Sequence, residues 1–465
     1  MHLVQKRNQS GVTFMKKRMT TAILSLALLA AGCSSSAGTG TSTGEAPKTG
    51  GGGSEKKAEQ PAAAKVSSEP VELVVFSSSG DSLESFNERF GNAIAKKFPN
   101  YKINYIRNEK GKTLPELLAA GQVIDIYFDS IRVFIGSLQY DMQLDMDDLV
   151  KSHNVDLSNL EPTALDGMRK LSGGKLWGIP VTNSNMALYY NKDIFNKFGV
   201  PLPKDGMTWD EVLDLSKKLT RFEDGKQFLG LGVATTQMLS MTQQSLPIVD
   251  PKSGKSSLSD DRWKKMYSTL YEEPAKPQGY REYMKTIKGN IPNVDEFHNK
   301  QNLGMLVYLS SYFQVNAKEL KGVNWDMVSV PTFKDMPGVG VQPYPGYFSV
   351  TKQSKHKDDA MEVIKYLISD EVQMQLSKTG TMSALKTDAV KKAFGEQSEY
   401  KDHNLKAVYF NKFAEMSQKT KYDNALQDAY FAPMKQVASG DVDINTALRQ
   451  AEEVANKKLD EEKKK

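Results

Sequence analysis

The sequence is poor in residues that bind metals or form covalent crosslinks. It has one cysteine and five histidines among 465 residues. A single cysteine excludes an internal disulfide framework, a cysteine-rich zinc site and iron–sulfur ligation by several cysteines. The histidines after residue 33 do not lie within metal-ligand spacing of one another, and the sequence has neither an HExxH motif nor a Walker-type phosphate loop. The sequence therefore predicts a protein without a metal or other cofactor.

Excess charge is also lacking once the N-terminus is set apart. The chain has 61 Lys and Arg against 56 Asp and Glu, a formal charge of +5. Residues 1–33 carry five basic residues and no acidic one, so the rest of the chain has 56 of each sign. A balanced chain has no basic surplus to neutralise phosphates, which argues against general nucleic-acid binding.

The apolar run near the N-terminus is too short to remain in a membrane as a helix, which needs about 20 residues. Residues 19–31 (MTTAILSLALLAA) carry no charge, follow the basic residues 16–18 and precede a Gly-Cys pair at 32–33. A basic segment, a short apolar segment and small residues in this order are typical of a secretory signal peptide. Met15 begins a more typical signal than Met1, and both starts stay open.

Residues 29–33 (LAAGC) resemble the bacterial lipobox, although Ala30 stands where leucine is usual. The resemblance implies that residues 1–32 are removed and that Cys33 is lipidated, with palmitate among its acyl chains. The mature chain would then be anchored on the extracytoplasmic face of the cell membrane. An ordinary signal peptide followed by a free cysteine is the alternative.

A linker and a large globular part follow the cysteine. Residues 34–65 contain no aromatic residue and are rich in Gly, Ser, Ala and Lys, so we expect 33–65 to be a lipidated N-terminus and disordered linker. A coil of this length reaches roughly 30 Å. About 400 residues remain, which predicts two or three domains by length.

Strand and helix signals alternate at the start of this globular part. They occupy residues 71–76 (VELVVF), 83–98, 102–106 (KINYI), 114–120 and 124–128 (IDIYF). This βαβαβ pattern predicts a parallel sheet, whose ligands bind beyond the carboxyl ends of the strands. Asp81 follows the first strand, and Asp129 and Arg132 follow the third. The alternative for each carboxylate is an Asx turn or a helix N-cap.

Other local patterns place a crossing segment and several helices. Two extended runs, 176–181 and 186–190, are joined by a polar stretch that contains Asn183. Thr208 and Glu211 form a capping box that opens a helix to residue 219. Three further helices are predicted at 404–416, 422–437 and 444–458.

Three longer segments carry a combination of motifs. Residues 174–220 include GKLWGIPVTNSNMALYYNKDIF and TWDE, residues 325–385 include VSVP, GYFSV and SKHK, and residues 437–448 include VASG and TAL. Together these motifs, which span about residues 71–459, resemble family 1 of the bacterial extracellular solute-binding proteins. Proteins of this type are the sugar-specific substrate-binding lipoproteins of ABC transporters.

The resemblance implies an α/β fold of the two-lobed, type II periplasmic-binding-protein kind, with a hinge between the lobes. Lobe 1 would comprise residues 66–180 plus 332–388, and lobe 2 residues 181–331 plus 389–465. A mono- or oligosaccharide would bind in the cleft between the lobes and pass to the membrane permease of the transporter. The resemblance also implies a monomer that is not an enzyme.

Sugar recognition requires flat rings that stack on pyranose C–H faces and planar polar groups that bind vicinal hydroxyls. By this resemblance Asp81, Asp129 and Arg132 lie in ligand loops, and Asn183 lies at the first crossing between lobes. Tyr308 and Tyr312 occupy the family position at which an aromatic residue lines the cleft, and Tyr344 lies near its rim. The alternatives are hinge hydrogen bonding for Asn183 and core packing for Tyr312.

A second hypothesis is a secreted esterase. Residues 80–83 (GDSL) match the GDSL esterase signature, in which Ser82 would be the nucleophile. Asp295 and His298 have the spacing of the catalytic Asp-x-x-His, but they stand before the partial Gly-x-Asn segment at 322–324 instead of after it. The reversed order weakens this hypothesis.

Overall fold

The computed structural model describes residues 64–79 and 81–465. The predicted signal peptide, Cys33 and nearly all of the predicted linker therefore lie outside the described residues, as does the glycine at position 80. In the described part of the chain no helix is both long and apolar enough to cross a membrane.

Ten strands form two five-stranded sheets in residues 64–79 and 81–465. In chain order they are β1 (Val71–Ser77), β2 (Tyr101–Arg107), β3 (Ile126–Ser130), β4 (Ile179–Thr182), β5 (Met186–Asn191), β6 (Arg221–Glu223), β7 (Lys226–Val233), β8 (Leu303–Leu309), β9 (Trp325–Ser329) and β10 (Gly346–Val350). The first sheet has the order β2-β1-β3-β10-β4, and the second has the order β6-β7-β8-β5-β9.

The first sheet begins as the predicted parallel βαβαβ unit. β1 pairs in parallel with β2 on one side and with β3 on the other. β10 enters between β3 and β4 and is antiparallel to both, which the local sequence patterns do not indicate. The carboxyl ends of β1 and β3 therefore lie next to each other at one edge of the sheet.

In the second sheet β5 lies between β8 and β9 and is antiparallel to both, and β7 runs parallel to β8. β6 and β7 form a hairpin through Asp224 and Gly225, whose φ angles are 49° and 74°. Positive φ at both residues suits a tight hairpin turn.

The helices pack around the two sheets. They are α1 (Leu83–Phe86), α2 (Asn92–Lys97), α3 (Leu114–Ala119), α4 (Ile131–Ser137), α5 (Asp147–Ser152), α6 (Pro162–Ser172), α7 (Lys192–Phe198), α8 (Trp209–Leu219), α9 (Thr235–Ser240), α10 (Asp261–Tyr267), α11 (Tyr280–Thr286), α12 (Tyr312–Val315), α13 (Ala317–Leu320), α14 (Lys357–Leu367), α15 (Asp370–Lys378), α16 (Asp388–Lys392), α17 (Asp423–Ser439) and α18 (Ile444–Lys463). A π-helical turn, Asn87–Gly91, joins α1 to α2, so that residues 83–97 form one nearly continuous helix.

The helix predicted at 404–416 is wrong. A 3-10 helix covers Leu405–Tyr409, and the chain from 411 to 420 has no regular secondary structure apart from a bridge between Lys412 and Val339. Lys412 N donates to the carbonyl of Gly338 at 3.0 Å, and Ala414 N donates to the carbonyl of Val341 at 3.2 Å. These tertiary bonds satisfy backbone N–H groups of this segment without a helix and override the helical spacing of its apolar residues.

Two hydrophobic cores accompany the two sheets. One surrounds the first sheet with α14, and the other surrounds the second sheet with α17 and α18. Residues 183–185 pass from β4 in the first sheet to β5 in the second. The cores depart locally from the predicted lobe boundaries: Phe333 packs in the second core, and Met416 packs in the first.

Candidate functional site

A cleft of 780 Å³ is lined by residues from the surroundings of both sheets. Its walls include the loop after β1, the segment between β4 and β5, the turn after β8 and the loop that follows α15. Seven serines and three threonines line it, together with the aromatic residues Phe128, Phe313, Tyr344 and Tyr400. Cavities of about 300–1,000 Å³ suit small-molecule ligands.

Asp129, at the end of β3, fixes the loop that follows β1. Its side chain is fully buried and accepts hydrogen bonds from the backbone N–H of Ser78 at 2.8 Å and of Ser79 at 2.9 Å. The hydroxyls of Ser77, at 3.1 Å, and of Ser79 donate to the same carboxylate. Desolvation raises the pKa of Asp129, although these hydrogen bonds act in the opposite direction. Asp129 therefore holds the loop and does not line the cleft.

Asp81, two residues after that clamped loop, does line the cleft. Its carboxylate lies 2.8 Å from the guanidinium of Arg89, and its carbonyl accepts from the Tyr105 hydroxyl at 3.0 Å. Arg89 also lies over two rings, with its Cζ 4.7 Å from the centre of Phe90 and 5.8 Å from that of Phe128. The side chains of Asp81 and Arg89 are each 29% exposed, so both stay accessible to a ligand.

The crossing segment supplies amide and hydroxyl groups. Asn183 lines the cleft, its N–H donates to the carbonyl of Met382 at 2.9 Å, and its Oδ1 accepts from Ser184 N at 2.9 Å. The hydroxyls of Ser184 and Ser310 lie 3.1 Å apart. Ser310 follows β8, so this contact connects the crossing to the second sheet.

Tyr344 lies where the two cores meet. Its partly buried ring packs against both cores, and its N–H donates to the carbonyl of Ser184 at 2.9 Å. The Ser130 hydroxyl donates to the Tyr344 hydroxyl at 3.3 Å. Gly346 follows two residues later and passes close to Thr182. A Cβ at position 346 would lie 2.6 Å from the Thr182 hydroxyl, so the close approach requires glycine.

Several residues in or beside the lining of the cleft are not indicated by any sequence pattern. Gln314 Nε2 donates to the carbonyl of Thr379 at 2.7 Å, and Tyr400 donates to the carbonyl of Ala317 at 2.7 Å. Gly380 has a φ of 94°, and its α-carbon faces the Phe313 ring. The sequence patterns do not single out Arg89 either, and its only sequence signal is its place in the predicted helix at 83–98, eight residues after Asp81.

Of the seven predicted ligand residues, Asp81, Asn183 and Tyr344 line this cleft. The structure does not place the other four there, Asp129 among them. Tyr312 is 1% exposed, and its hydroxyl lies 2.9 Å from His298 Nδ1, so neither ring face is free for stacking. Tyr308 is packed beside it, with ring centres 5.3 Å apart. Arg132 lies in α4, where its carbonyl accepts from Asn424 at 3.0 Å.

The residues of the esterase hypothesis do not come together among the described residues. Ser82 is the N-cap of α1, and its hydroxyl accepts from Ser85 N at 3.1 Å. His298 is buried in the second core against Tyr312, and no hydrogen bond links it to Ser82. The same part of the chain contains no cluster of three or more residues that could bind a metal ion.

The model of the bacterial extracellular solute-binding protein family matches residues 77–374, well over half of the chain. The chain belongs to this family. Its members are binding proteins that act outside the cytoplasm, and the family predicted from the motifs is confirmed. A binding protein of Brucella abortus is 25% identical over 227 residues, which cover 45% of this chain and 48% of that protein. The chain thus matches about half the length of these curated relatives.

Solved structures of similar proteins cover nearly the whole described chain. An ABC substrate-binding protein of Listeria monocytogenes in complex with cycloalternan has a TM-score of 0.66 and 18% identity, covering 84% of this chain and 99% of that one. A sugar transporter protein of Rhizobium etli in an open conformation has a TM-score of 0.64 and 20% identity, covering 82% and 98%. These likenesses show the fold and confirm the predicted two-lobed α/β class.

Proposed function

We propose that this protein captures a mono- or oligosaccharide in the cleft and delivers it to the permease of an ABC importer. The observation that carries the proposal is the lining of the cleft: ten hydroxyl side chains, amide groups and four aromatic residues drawn from both lobes. Hydroxyls and amides can exchange hydrogen bonds with sugar hydroxyls, and aromatic faces pack against sugar C–H groups. The sugar ligand and sugar-transport role of the two solved structures support the same ligand class.

Within the cleft we assign ligand contacts to Asp81, Asn183 and Tyr344. Asp81 can accept from two neighbouring hydroxyls, Asn183 can both donate and accept, and the Tyr344 ring offers an apolar face. A ligand that touches both walls makes contacts that an open cleft cannot provide, so it favours closure of the lobes about the crossing segment. The closed form is the one that we expect the permease to recognise.

Calorimetric titration of the purified protein with a panel of neutral oligosaccharides would test ligand capture. Tyr344→Ala should weaken binding of the best ligand by about 1–3 kcal/mol, because the ring loses its apolar contact. Tyr366→Ala is the matched control, since Tyr366 packs against Phe98 away from the cleft. The absence of binding to every glycan would refute the proposal, and equal losses in both variants would refute the role of Tyr344.

We also propose that Cys33 anchors the protein to the outer face of the cell membrane through its acyl chains, as a monomer. Two or more acyl chains give stable anchoring, whereas one is marginal. Cells fed radiolabelled palmitate should label the wild-type protein and not Cys33→Ser, which should leave the membrane fraction. Equal labelling of both proteins would contradict the anchor, and a dimer in native mass spectrometry would contradict the monomer.

A further inference from the structure

The charged residues of the cleft are unevenly distributed. Among the described residues that line it, three are acidic, Asp81, Glu88 and Glu399, and one is basic, Arg89. The formal balance at neutral pH is therefore two negative charges. A cleft for anionic ligands would need cations that are free to bind them.

Arg89, the one basic residue among the described residues of the lining, is already paired with a carboxylate. The Arg89 guanidinium donates to Asp81 Oδ2 at 2.8 Å, and it rests against the rings of Phe90 and Phe128. The pair is partly withdrawn from solvent, with both side chains 29% exposed. An anionic ligand would have to compete with Asp81 for Arg89 and would meet the Asp81 carboxylate at the same place.

The other two carboxylates stand on opposite walls. Glu88 belongs to the helical run after β1, and Glu399 precedes Tyr400, which packs in the second core. Glu399 has a loose partner in Lys321, at 3.4 Å, but both side chains are about half exposed or more. An exposed pair of this kind is weak, so Glu399 stays available to a ligand and the lining of the cleft keeps its net negative potential. Closure of the lobes would concentrate this potential around the ligand.

We infer that the cleft selects neutral or amine-bearing saccharides over anionic ones, and that Asp81 enforces this selection by holding the charge of Arg89. The inference rests on the proposed carbohydrate-binding function and adds to it a class of ligand. Uronic acids and phosphorylated sugars are the excluded class.

The test starts from the tightest neutral oligosaccharide in the panel and compares it with two derivatives of the same length and linkage. One derivative has a terminal hydroxymethyl group oxidised to a carboxylate, and the other has one hydroxyl replaced by an amine. In calorimetry at low salt the carboxylate form should bind about tenfold more weakly than the neutral form, and the amine form at least as tightly. Half-molar salt should bring the affinities of the carboxylate and amine forms closer to that of the neutral form, because it screens the charges of the cleft and of the ligand.

Variants separate the contributions of the charges. Asp81→Asn releases Arg89, so the ratio of neutral to carboxylate affinity should fall by about threefold or more, even if both affinities drop. Glu88→Gln should also lower this ratio, whereas Glu84→Gln, on the exposed face of α1 outside the cleft, should leave it unchanged.

The outcomes distinguish this inference from the function on which it rests. If no saccharide of any charge binds, the proposed function fails and the inference fails with it. If the neutral oligosaccharide binds and its carboxylate form binds equally well, only the charge selection is refuted. If the penalty exists but Asp81→Asn leaves the ratio unchanged, Asp81 does not enforce the selection.

Discussion

The loop after β1 allows a test of whether a residue outside the cleft controls ligand binding. Asp129 is fully buried, and each of its carboxylate oxygens accepts a hydrogen bond from one backbone N–H, that of Ser78 or that of Ser79. In Asp129→Asn one oxygen becomes an NH2 group that cannot accept, so one backbone donor loses its partner. We expect the free energy of unfolding to fall by about 1–3 kcal/mol, the cost of leaving a buried donor unsatisfied. The lower desolvation cost of the neutral amide offsets part of this loss.

The effect on ligand binding follows from the position of Asp81, two residues beyond the clamped loop. A loop that samples other conformations presents the Asp81 carboxylate less often, so we expect ligand affinity to fall by about fivefold, or 1 kcal/mol. Urea unfolding measures the stability, and calorimetric titration at a temperature where both proteins are folded measures the affinity.

Asp125, which immediately precedes β3, is a matched control. It is 3% exposed and accepts from Val74 N at 2.9 Å and from the Ser354 hydroxyl at 2.6 Å. Asp125→Asn should cost a similar free energy of unfolding and change ligand affinity by less than about twofold. If both variants weaken binding equally, or if Asp129→Asn leaves binding unchanged while it destabilises the fold, the positioning role of Asp129 is refuted.

Three further predictions concern stability. Burial raises the pKa of Asp423 to about 6 against the attraction of Lys419, which lowers it. The folded state thus favours the neutral acid, so the free energy of unfolding should fall by up to about 3 kcal/mol as pH rises from 4 to 7, and Asp423→Asn should abolish this fall in urea titrations. Gly380→Ala should lower the melting temperature through a cost of about 1–3 kcal/mol, because φ is 94° and the new Cβ would lie 2.8 Å from Phe313; an unchanged melting temperature would contradict this. Tyr312→Phe should cost about 1 kcal/mol of stability through the lost bond to His298 and leave ligand affinity intact. A loss of affinity would instead make Tyr312 a ligand residue.

Features determined by neighbouring residues could be predicted from the sequence. The capping box is present, with Thr208 N donating to Glu211 Oε2 at 2.7 Å and the Thr208 side chain accepting from Glu211 N at 3.4 Å. β1 and β2 lie within one residue of their predicted bounds at each end, because runs of β-branched and aromatic residues bounded by turns identify strands locally. The family motifs then supplied the two-lobed fold, which local patterns alone left open.

Features that depend on side-chain direction could not be predicted in this way. The sequence predicts both Asp81 and Asp129 as ligand residues for the same reason, their place at the ends of neighbouring parallel strands. One carboxylate reaches the cleft and the other points back to the loop that it clamps. The position of a residue at a strand end does not determine which of these directions its side chain takes. The direction of the Asp129 side chain depends on the backbone N–H groups of another segment, the loop after β1.

The crossing segment shows why local sequence patterns could not predict the whole site. It also shows why ligand binding and hinge motion should be linked. The Ser184–Ser310 contact joins residues 126 apart in sequence, and the Ser130–Tyr344 contact joins residues 214 apart. Ser184 also accepts from Tyr344 N, so one short stretch between β4 and β5 bonds to both walls and lines the cleft. A ligand that bonds to this stretch acts on the groups that must adjust when the lobes close. We therefore expect substitutions in the crossing to change affinity and the extent of closure together, whereas substitutions on one wall alone should change affinity with little effect on closure.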